Sequence, residues 1–135
     1  MSDVHVRLRV GNELYAMPVE NVLEVAALGE LSAVPGAGAA VLGVRNLNGR
    51  VMPVFDLARI LAVAGDVSAP CIVVAEHEGE VAGLAVDEVS DVSSLPVATE
   101  PMEAEYLSGA LLEEGRLVGV IAVDRLFRGL ARAAA

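Results

Sequence analysis

The chain has 135 residues, the length of one ordinary domain, and 55% of them are hydrophobic. The net charge is −10, so the surface repels phosphate backbones and nucleic acid is a poor partner. The single cysteine excludes an internal disulfide, and no secretory leader or membrane-spanning apolar stretch is visible. We therefore expect a cytoplasmic protein that does not insert directly into a membrane.

The first quarter of the chain predicts strands joined by a short helical turn. VHVRLRV at residues 4–10 alternates apolar and polar side chains, which predicts a strand with one solvated face that carries His5. A Gly-Asn turn and a second strand follow. Valines repeat every three residues in VENVLEV at 19–25, which favours a turn of helix that runs into a strand. The segment 31–44 then reads as strand, glycine-rich loop and strand.

The next stretch contains the strongest hairpin signal of the chain. Asn48-Gly49 lies between two apolar runs and predicts a tight turn. Pro53 stands inside the second run, and because proline cannot donate a backbone hydrogen bond, that strand is expected at a sheet edge or bulged. Asp56 is placed to cap a helix that begins with LARILAV at residue 57.

From residue 71 the same plan restarts. CIVVAEH and VAGLAV predict a hairpin, VDEVSDV repeats the three-residue period, and a last hairpin turns at Glu114-Gly115 before a short C-terminal helix. Residues 4–25 align with 71–92, and residues 43–51 align with 109–117. This repeat predicts two similar β lobes of about five strands each, which would curl into barrels to remove their edges.

No catalytic constellation is recognisable. His5 and His77 are isolated and expected in solvent, and the chain has no metal-ligand spacing, no nucleophile elbow and no phosphate-binding glycine loop. Apolar side chains are instead interleaved with acids around tight turns, as in a protein-recognition surface. The sequence therefore predicts a binding protein that is not an enzyme and needs no cofactor.

The stretch GVRNLNGRVMPVFDL at 43–57 resembles the signature of the CheW family, the coupling proteins of bacterial chemotaxis. That signature runs Gly-Val-x-Asn-Leu-Arg-Gly, two or three apolar residues, then Pro-Val-x-Asp-Leu. YAMPVENVLEV and AVPG upstream, with VAGLAVDEVSDV, YLSG and GRLVGVIAVDRLF downstream, resemble other family segments in the same order. The resemblance extends over residues 4–130.

The resemblance implies a mostly β fold of two five-stranded SH3-like β-barrels packed together with short helices. The whole chain, 1–135, would be one CheW-like domain. Its first subdomain would cover roughly 11–69, with strand exchange at the termini, and its second roughly 70–123 plus a C-terminal helix at 124–132. The implied function is a non-enzymatic adaptor. Its partners would be the regulatory domain of a CheA-type histidine kinase and the cytoplasmic hairpin tip of chemoreceptors.

The resemblance also implies a receptor-binding groove. Carried over residue by residue, it consists of Val22, Glu24, Val25, Gly43, Asn46, Asn48, Val86 and Asp87. One position departs from the family, because Asn48 stands where the signature has arginine. Arg50 or Arg45 would be the substitute for that arginine.

Two other functions follow from the same residues. Asn48 motivates a CheW-like scaffold of a divergent signalling pathway, such as surface motility, without an ordinary receptor. A more remote alternative is a small-molecule-binding protein or hydrolase that uses a pocket between the two barrels.

Overall fold

The computed structural model describes residues 4–64, 69–95 and 104–134. Within these ranges the chain forms ten strands, a one-turn 3-10 helix at Val19–Asn21 and two α-helices. The elements are β1 (Val4–Val10), β2 (Glu13–Pro18), β3 (Val22–Ala27), β4 (Val41–Leu47), β5 (Arg50–Asp56), α1 (Leu57–Ile60), β6 (Cys71–His77), β7 (Glu80–Val86), β8 (Glu88–Ser94), β9 (Leu107–Glu113), β10 (Arg116–Ile121) and α2 (Val123–Ala134).

The strands form two five-stranded sheets, which confirms the predicted fold class. The first sheet has the order β3-β6-β7-β5-β4 and the second has the order β8-β1-β2-β10-β9. Replacing each strand of one sheet by the strand five places away gives the other sheet, as expected of a duplicated unit. Each unit contributes its first hairpin to the sheet of the other unit. Residue 70 therefore lies between the first repeat, β1 to β5, and the second repeat, β6 to β10. Each sheet, however, contains strands from both repeats.

Apolar side chains pack in three clusters. The largest, called here the central cluster, joins the two sheets and α2 through fully buried residues that include Leu8, Met17, Val73, Leu84 and Leu126. Two smaller clusters each lie on the opposite face of one sheet. That of the first sheet includes Ile72 and Val74, and that of the second includes Leu111 and Val118. Each lobe therefore has its own barrel core, and the central cluster holds the lobes together.

Three hairpins turn on the same backbone conformation. Asn48-Gly49, Glu78-Gly79 and Glu114-Gly115 all have positive φ at both residues, the conformation that matches the twist of the flanking strands. The tight turn predicted at Asn48-Gly49 is confirmed. Its N–H at Gly49 donates to the side-chain oxygen of Asn46 at 3.1 Å.

Two predicted strands behave differently from expectation. The segment at 31–34 is not a strand, because only Ser32 pairs, through reciprocal backbone hydrogen bonds with Val44 of 2.9 and 2.8 Å. β5 is an interior strand, not an edge. It pairs with β7 from Val54 onward, however, so Pro53 has only β4 as a neighbour and its missing N–H leaves that ladder intact.

The polar face predicted for β1 is wrong at its centre. His5 is only 9% exposed, and Arg7 is half-buried. The Arg7 side chain points into the second barrel, where it donates hydrogen bonds to Ser93 of β8 and Glu113 of β9. Asp56 caps α1 as predicted by accepting a hydrogen bond from the N–H of Ala58 at 3.1 Å, but α1 has only four residues.

Candidate protein-binding surfaces

The middle of β3 exposes three consecutive side chains, Leu23, Glu24 and Val25, called here the β3 surface. Leu23 and Val25 are 41% and 45% exposed. A regular strand would alternate, but a β-bulge lies between Val22 and Glu24, so Leu23 is an extra residue without a partner on β6. β3 is also an edge strand of the first sheet. Apolar groups beside a carboxylate on an edge strand are suited to contact with another protein.

The predicted site residues of β3 divide between core and surface. Val22 is half-buried and packs against the central cluster. Glu24 is exposed, and across the described ranges no arginine or histidine nitrogen lies within 4.0 Å of its carboxylate. Val25 is exposed as well. Glu24 and Val25 are therefore available to a partner.

Gly43 has a backbone role. Its φ is +151°, and a Cβ at this position would lie 2.6 Å from the carbonyl oxygen of Ser32. The close approach allows Ser32 to pair with Val44, and this bridge connects the loop after β3 to β4. Glycine is therefore needed at this position for the backbone pairing of the first barrel, independently of any contact with a partner.

Asn46 and Asn48 shape the β4–β5 hairpin. Asn46 is exposed and accepts the turn hydrogen bond described above, while Asn48 occupies the first turn position at φ 53°. Across the ladder from Asn46 lies Val51, whose side chain is 66% exposed. The sequence reasoning did not select Val51, although its outward register follows from the turn position.

Neither proposed substitute for the missing arginine pairs with Glu24. The Arg45 side chain donates to the carbonyl oxygens of Leu28 at 3.1 Å and Asn46 at 2.7 Å. It thereby fastens the segment that leaves β3 against β4. Arg50 is exposed, and its guanidinium forms no ion pair within the part of the chain that the structure describes.

Val86 and Asp87 lie away from the surface. Val86 is fully buried in the central cluster. Asp87 is 9% exposed, and its carboxylate accepts hydrogen bonds from the N–H of Gly11 at 2.6 Å and of Ala69 at 3.3 Å. In this conformation Val86 offers no surface to a partner, and the Asp87 carboxylate joins the β1–β2 turn to the entry of β6. The other predicted site residues therefore lie together on the first barrel, whereas Val86 and Asp87 are buried and are not part of that surface.

A second apolar surface lies on the β9–β10 hairpin and was missed by sequence reasoning. Leu112 and Leu117 face each other across the ladder and are 70% and 56% exposed. They occupy the positions that Asn46 and Val51 hold in the first barrel. The internal repeat was the signal that could have identified them, because it places equivalent hairpin positions on equivalent surfaces.

The remote alternative of a small-molecule pocket between the barrels can be compared with a cleft in the described part of the chain. The central cluster fills most of the contact between the sheets, but a cleft of about 240 Å³ lies between α1 and the start of β9. Tyr15, Ile60, Leu61 and Tyr106 are among its lining residues. A ligand in this cleft stays a prediction. A thermal-shift screen tests it, since a bound ligand raises the melting temperature.

None of the described helices is long and apolar enough to cross a membrane.

Comparison with known proteins identifies relatives over nearly the whole chain. The family model of the CheW-like domain matches residues 5–131. The chain is 31% identical to the chemotaxis protein CheW of Rhizobium meliloti over 140 aligned positions, covering 96% of this chain and 90% of that protein.

Two further relatives extend the comparison. The chain is 36% identical to Protein FrzA of Myxococcus xanthus, covering 79% of this chain and 72% of that protein. Its fold matches the crystal structure of the scaffolding protein TtCheW from Thermoanaerobacter tengcongensis with a TM-score of 0.82 and 25% identity, over 94% and 93% of the two chains. The sequence match, the duplicated strand order and the closely similar solved structure agree, and the chain belongs to the CheW-like domain family.

Proposed function

We propose that this protein is a non-enzymatic cytoplasmic adaptor that couples chemoreceptors to a CheA-type histidine kinase. Its membership of the CheW-like family supports this function, together with the chemotaxis and scaffolding names of its relatives. The observation that carries the proposal is the β3 surface, an exposed apolar and acidic edge of the first barrel. An adaptor needs such a surface for one partner and a separate one for the other. The β9–β10 hairpin, on the other sheet, supplies the second.

The β3 surface is suited to the hairpin tip of a chemoreceptor. A helical hairpin presents apolar side chains at helical spacing, and these need an apolar surface on the partner. Leu23 and Val25 provide apolar area, and Glu24 between them provides a charge that selects for a basic or hydrogen-bond-donating group. Because the Arg45 side chain and the Ser32–Val44 bridge tie the segments around β3 and β4 together, the surface is pre-organised.

Glu24→Arg is expected to weaken binding of the receptor tip by about 1 kcal/mol or more, which is the scale of an interface charge contact. Calorimetric titration of a receptor signalling fragment measures the change. Glu13→Arg is the matched control, since Glu13 is an exposed residue at the start of β2 in the other sheet. Equal losses in the two variants would mean that net charge, and not the β3 surface, governs binding.

A CheW-like scaffold of a divergent pathway is the second candidate, and Asn48 is the observation that favours it. The family signature has arginine at this position. The positive φ of Asn48 gives a local reason for asparagine, because asparagine tolerates the left-handed conformation better than arginine.

Asn48→Arg separates the two candidates. If the ordinary receptor has been lost as a partner, the variant is expected to bind a standard receptor tip at least about tenfold more tightly, the effect of one charge-assisted hydrogen bond. Glu114→Arg is the control, because Glu114 occupies the equivalent turn position of the second barrel at φ 49°. An unchanged affinity in Asn48→Arg, at a wild-type affinity already in the micromolar range, would contradict the divergent pathway.

The kinase half of the proposal is tested by calorimetric titration into the regulatory domain of the CheA-type kinase of the same organism. We expect micromolar affinity, about −8 kcal/mol. Absence of binding at hundreds of micromolar would leave the fold unaffected and remove this kinase as a partner. The search would then turn to other kinases.

A further inference from the structure

The two barrels differ at equivalent interior positions. In the first barrel Val74 of β6, Ala26 of β3 and Leu47 of β4 pack together in the apolar barrel core. The strand registers place Arg7 of β1, Ser93 of β8 and Glu113 of β9 at the equivalent positions of the second barrel; this set is called here the polar network.

The polar network is closely hydrogen-bonded. Arg7 Nε and Nη2 donate to the two carboxylate oxygens of Glu113 at 3.0 and 2.6 Å. Arg7 Nη1 donates to Ser93 Oγ at 2.5 Å and to the Ser93 carbonyl oxygen at 3.3 Å. Ser93 Oγ in turn donates to Asp91 Oδ2 at 3.1 Å. The side chains of Arg7 and Glu113 are only 15% and 30% exposed, so solvent screens this ion pair incompletely.

The network connects strands that have no backbone ladder between them. β8 and β9 are the two edges of the second sheet, and Arg7 extends from β1 to both. We propose that Arg7, Ser93 and Glu113 form a latch that holds β8 and β9 together at this end of the second barrel, at positions where the first barrel has apolar side chains. A partly buried ion pair is less robust than apolar packing, because either partner alone is left as an uncompensated charge. The second barrel therefore opens more readily at this end than the first.

The consequence of opening is local. The latch borders a cleft of about 620 Å³ whose lining includes Leu14, Ser90, Asp91 and Arg116. Glu113 is the last residue of β9 and lies next to Leu112, so the latch also fixes the exposed apolar hairpin surface.

Hydrogen exchange of backbone amides tests the latch. Arg7→Leu is expected to raise exchange of the amides near Ser93 and Glu113 by at least about tenfold, with little change around Ala26 and Leu47. Arg9→Leu is the matched control, because Arg9 lies on the same strand but its contacts do not extend to β9. It forms an exposed 3.4 Å pair with Glu88 of β8, and it donates a 2.8 Å hydrogen bond to the carbonyl oxygen of Gly11 in its own hairpin. Equal exchange in the Arg7 and Arg9 variants would overturn the proposal.

A second variant covers the case in which Arg7→Leu does not fold. The triple variant Arg7→Val, Ser93→Ala, Glu113→Leu copies the residues of the first barrel. It is expected to exchange near residues 93 and 113 no faster than the wild type, since apolar packing then closes the barrel. Exchange at least about tenfold faster than in the wild type would show that the side chains at these three positions do not hold β8 and β9 together.

The wild-type protein provides a test without substitution. The hydrogen bonds from Arg7 hold the pKa of Glu113 below its usual range, and the charge of Asp91 opposes this. Glu114 and Arg116 line the same cleft. Because the folded pKa is depressed, the latch is intact above the unfolded pKa and is lost as the pH falls through the folded value. After correction for the pH dependence of the intrinsic exchange rate, the amides near Ser93 and Glu113 should therefore lose protection at a higher pH than the amides near Ala26 and Leu47 as the solution is acidified. The same acid response in both barrels would contradict the latch.

Discussion

Asp87→Ala is expected to lower the free energy of unfolding by about 3 kcal/mol, because two buried N–H groups lose their acceptor. These donors are Gly11, in the β1–β2 turn, and Ala69, just before β6. The N–H of Asp87 also donates to the carbonyl oxygen of Arg9 at 3.0 Å, so the residue lies where three parts of the chain meet. Urea unfolding measures the loss.

The internal repeat supplies the control for this variant. Glu20 is the residue of the first repeat that aligns with Asp87, but it is exposed on the 3-10 helix. Glu20→Ala is expected to change stability by less than about 0.5 kcal/mol. Asp87 was predicted as a receptor contact by resemblance; with a structural role, its variant should lose receptor binding only in proportion to unfolding. Full stability combined with lost binding would restore the contact role.

Gly43→Ala is expected to cost about 3 kcal/mol, from a steric clash added to an unfavourable φ. The new Cβ would lie 2.6 Å from the Ser32 carbonyl oxygen, which belongs to the backbone and cannot move without breaking its pairing with Val44. Thermal or urea unfolding measures the effect, and exchange at the Ser32 and Val44 amides localises it.

Gly36→Ala shows the cost of a positive φ without a steric clash. Gly36 also has a positive φ, of 78°, but a Cβ there meets no atom within 4 Å. It should lose only about 1 kcal/mol, the cost of the left-handed conformation alone. Equal losses of unfolding free energy at Gly36 and Gly43 would mean that the close contact with Ser32 does not contribute to the cost of Gly43→Ala. The glycine at position 43 would then need a reason other than this contact.

The duplicated fold was predictable because repeated hydrophobic patterns specify repeated strands. VENVLEV and VDEVSDV have the same spacing and form β3 and β8 with the turns before them. The exchange of hairpins between sheets was not predictable from the same patterns. A strand with one apolar face can pair within its own unit or with the other unit, and local periodicity does not distinguish them.

The candidate site shows the same limit at single residues. Glu24 was correctly expected at the surface, because a charge between apolar neighbours is rarely buried. Asp87 is also an acid beside a valine but is buried, since Gly11 and Ala69 bring backbone donors to it from distant parts of the chain. The Arg7–Glu113 pair joins residues 106 positions apart, so no local spacing announces it.

The adaptor function is tested most directly by the autophosphorylation rate of the CheA-type kinase mixed with receptor-containing membranes, with and without this protein. We predict that the protein raises kinase activity and makes it respond to the receptor's ligand, and that Glu24→Arg diminishes both effects. Kinase activity that is the same with and without the protein, and indifferent to receptor ligand in its presence, would contradict the proposed coupling.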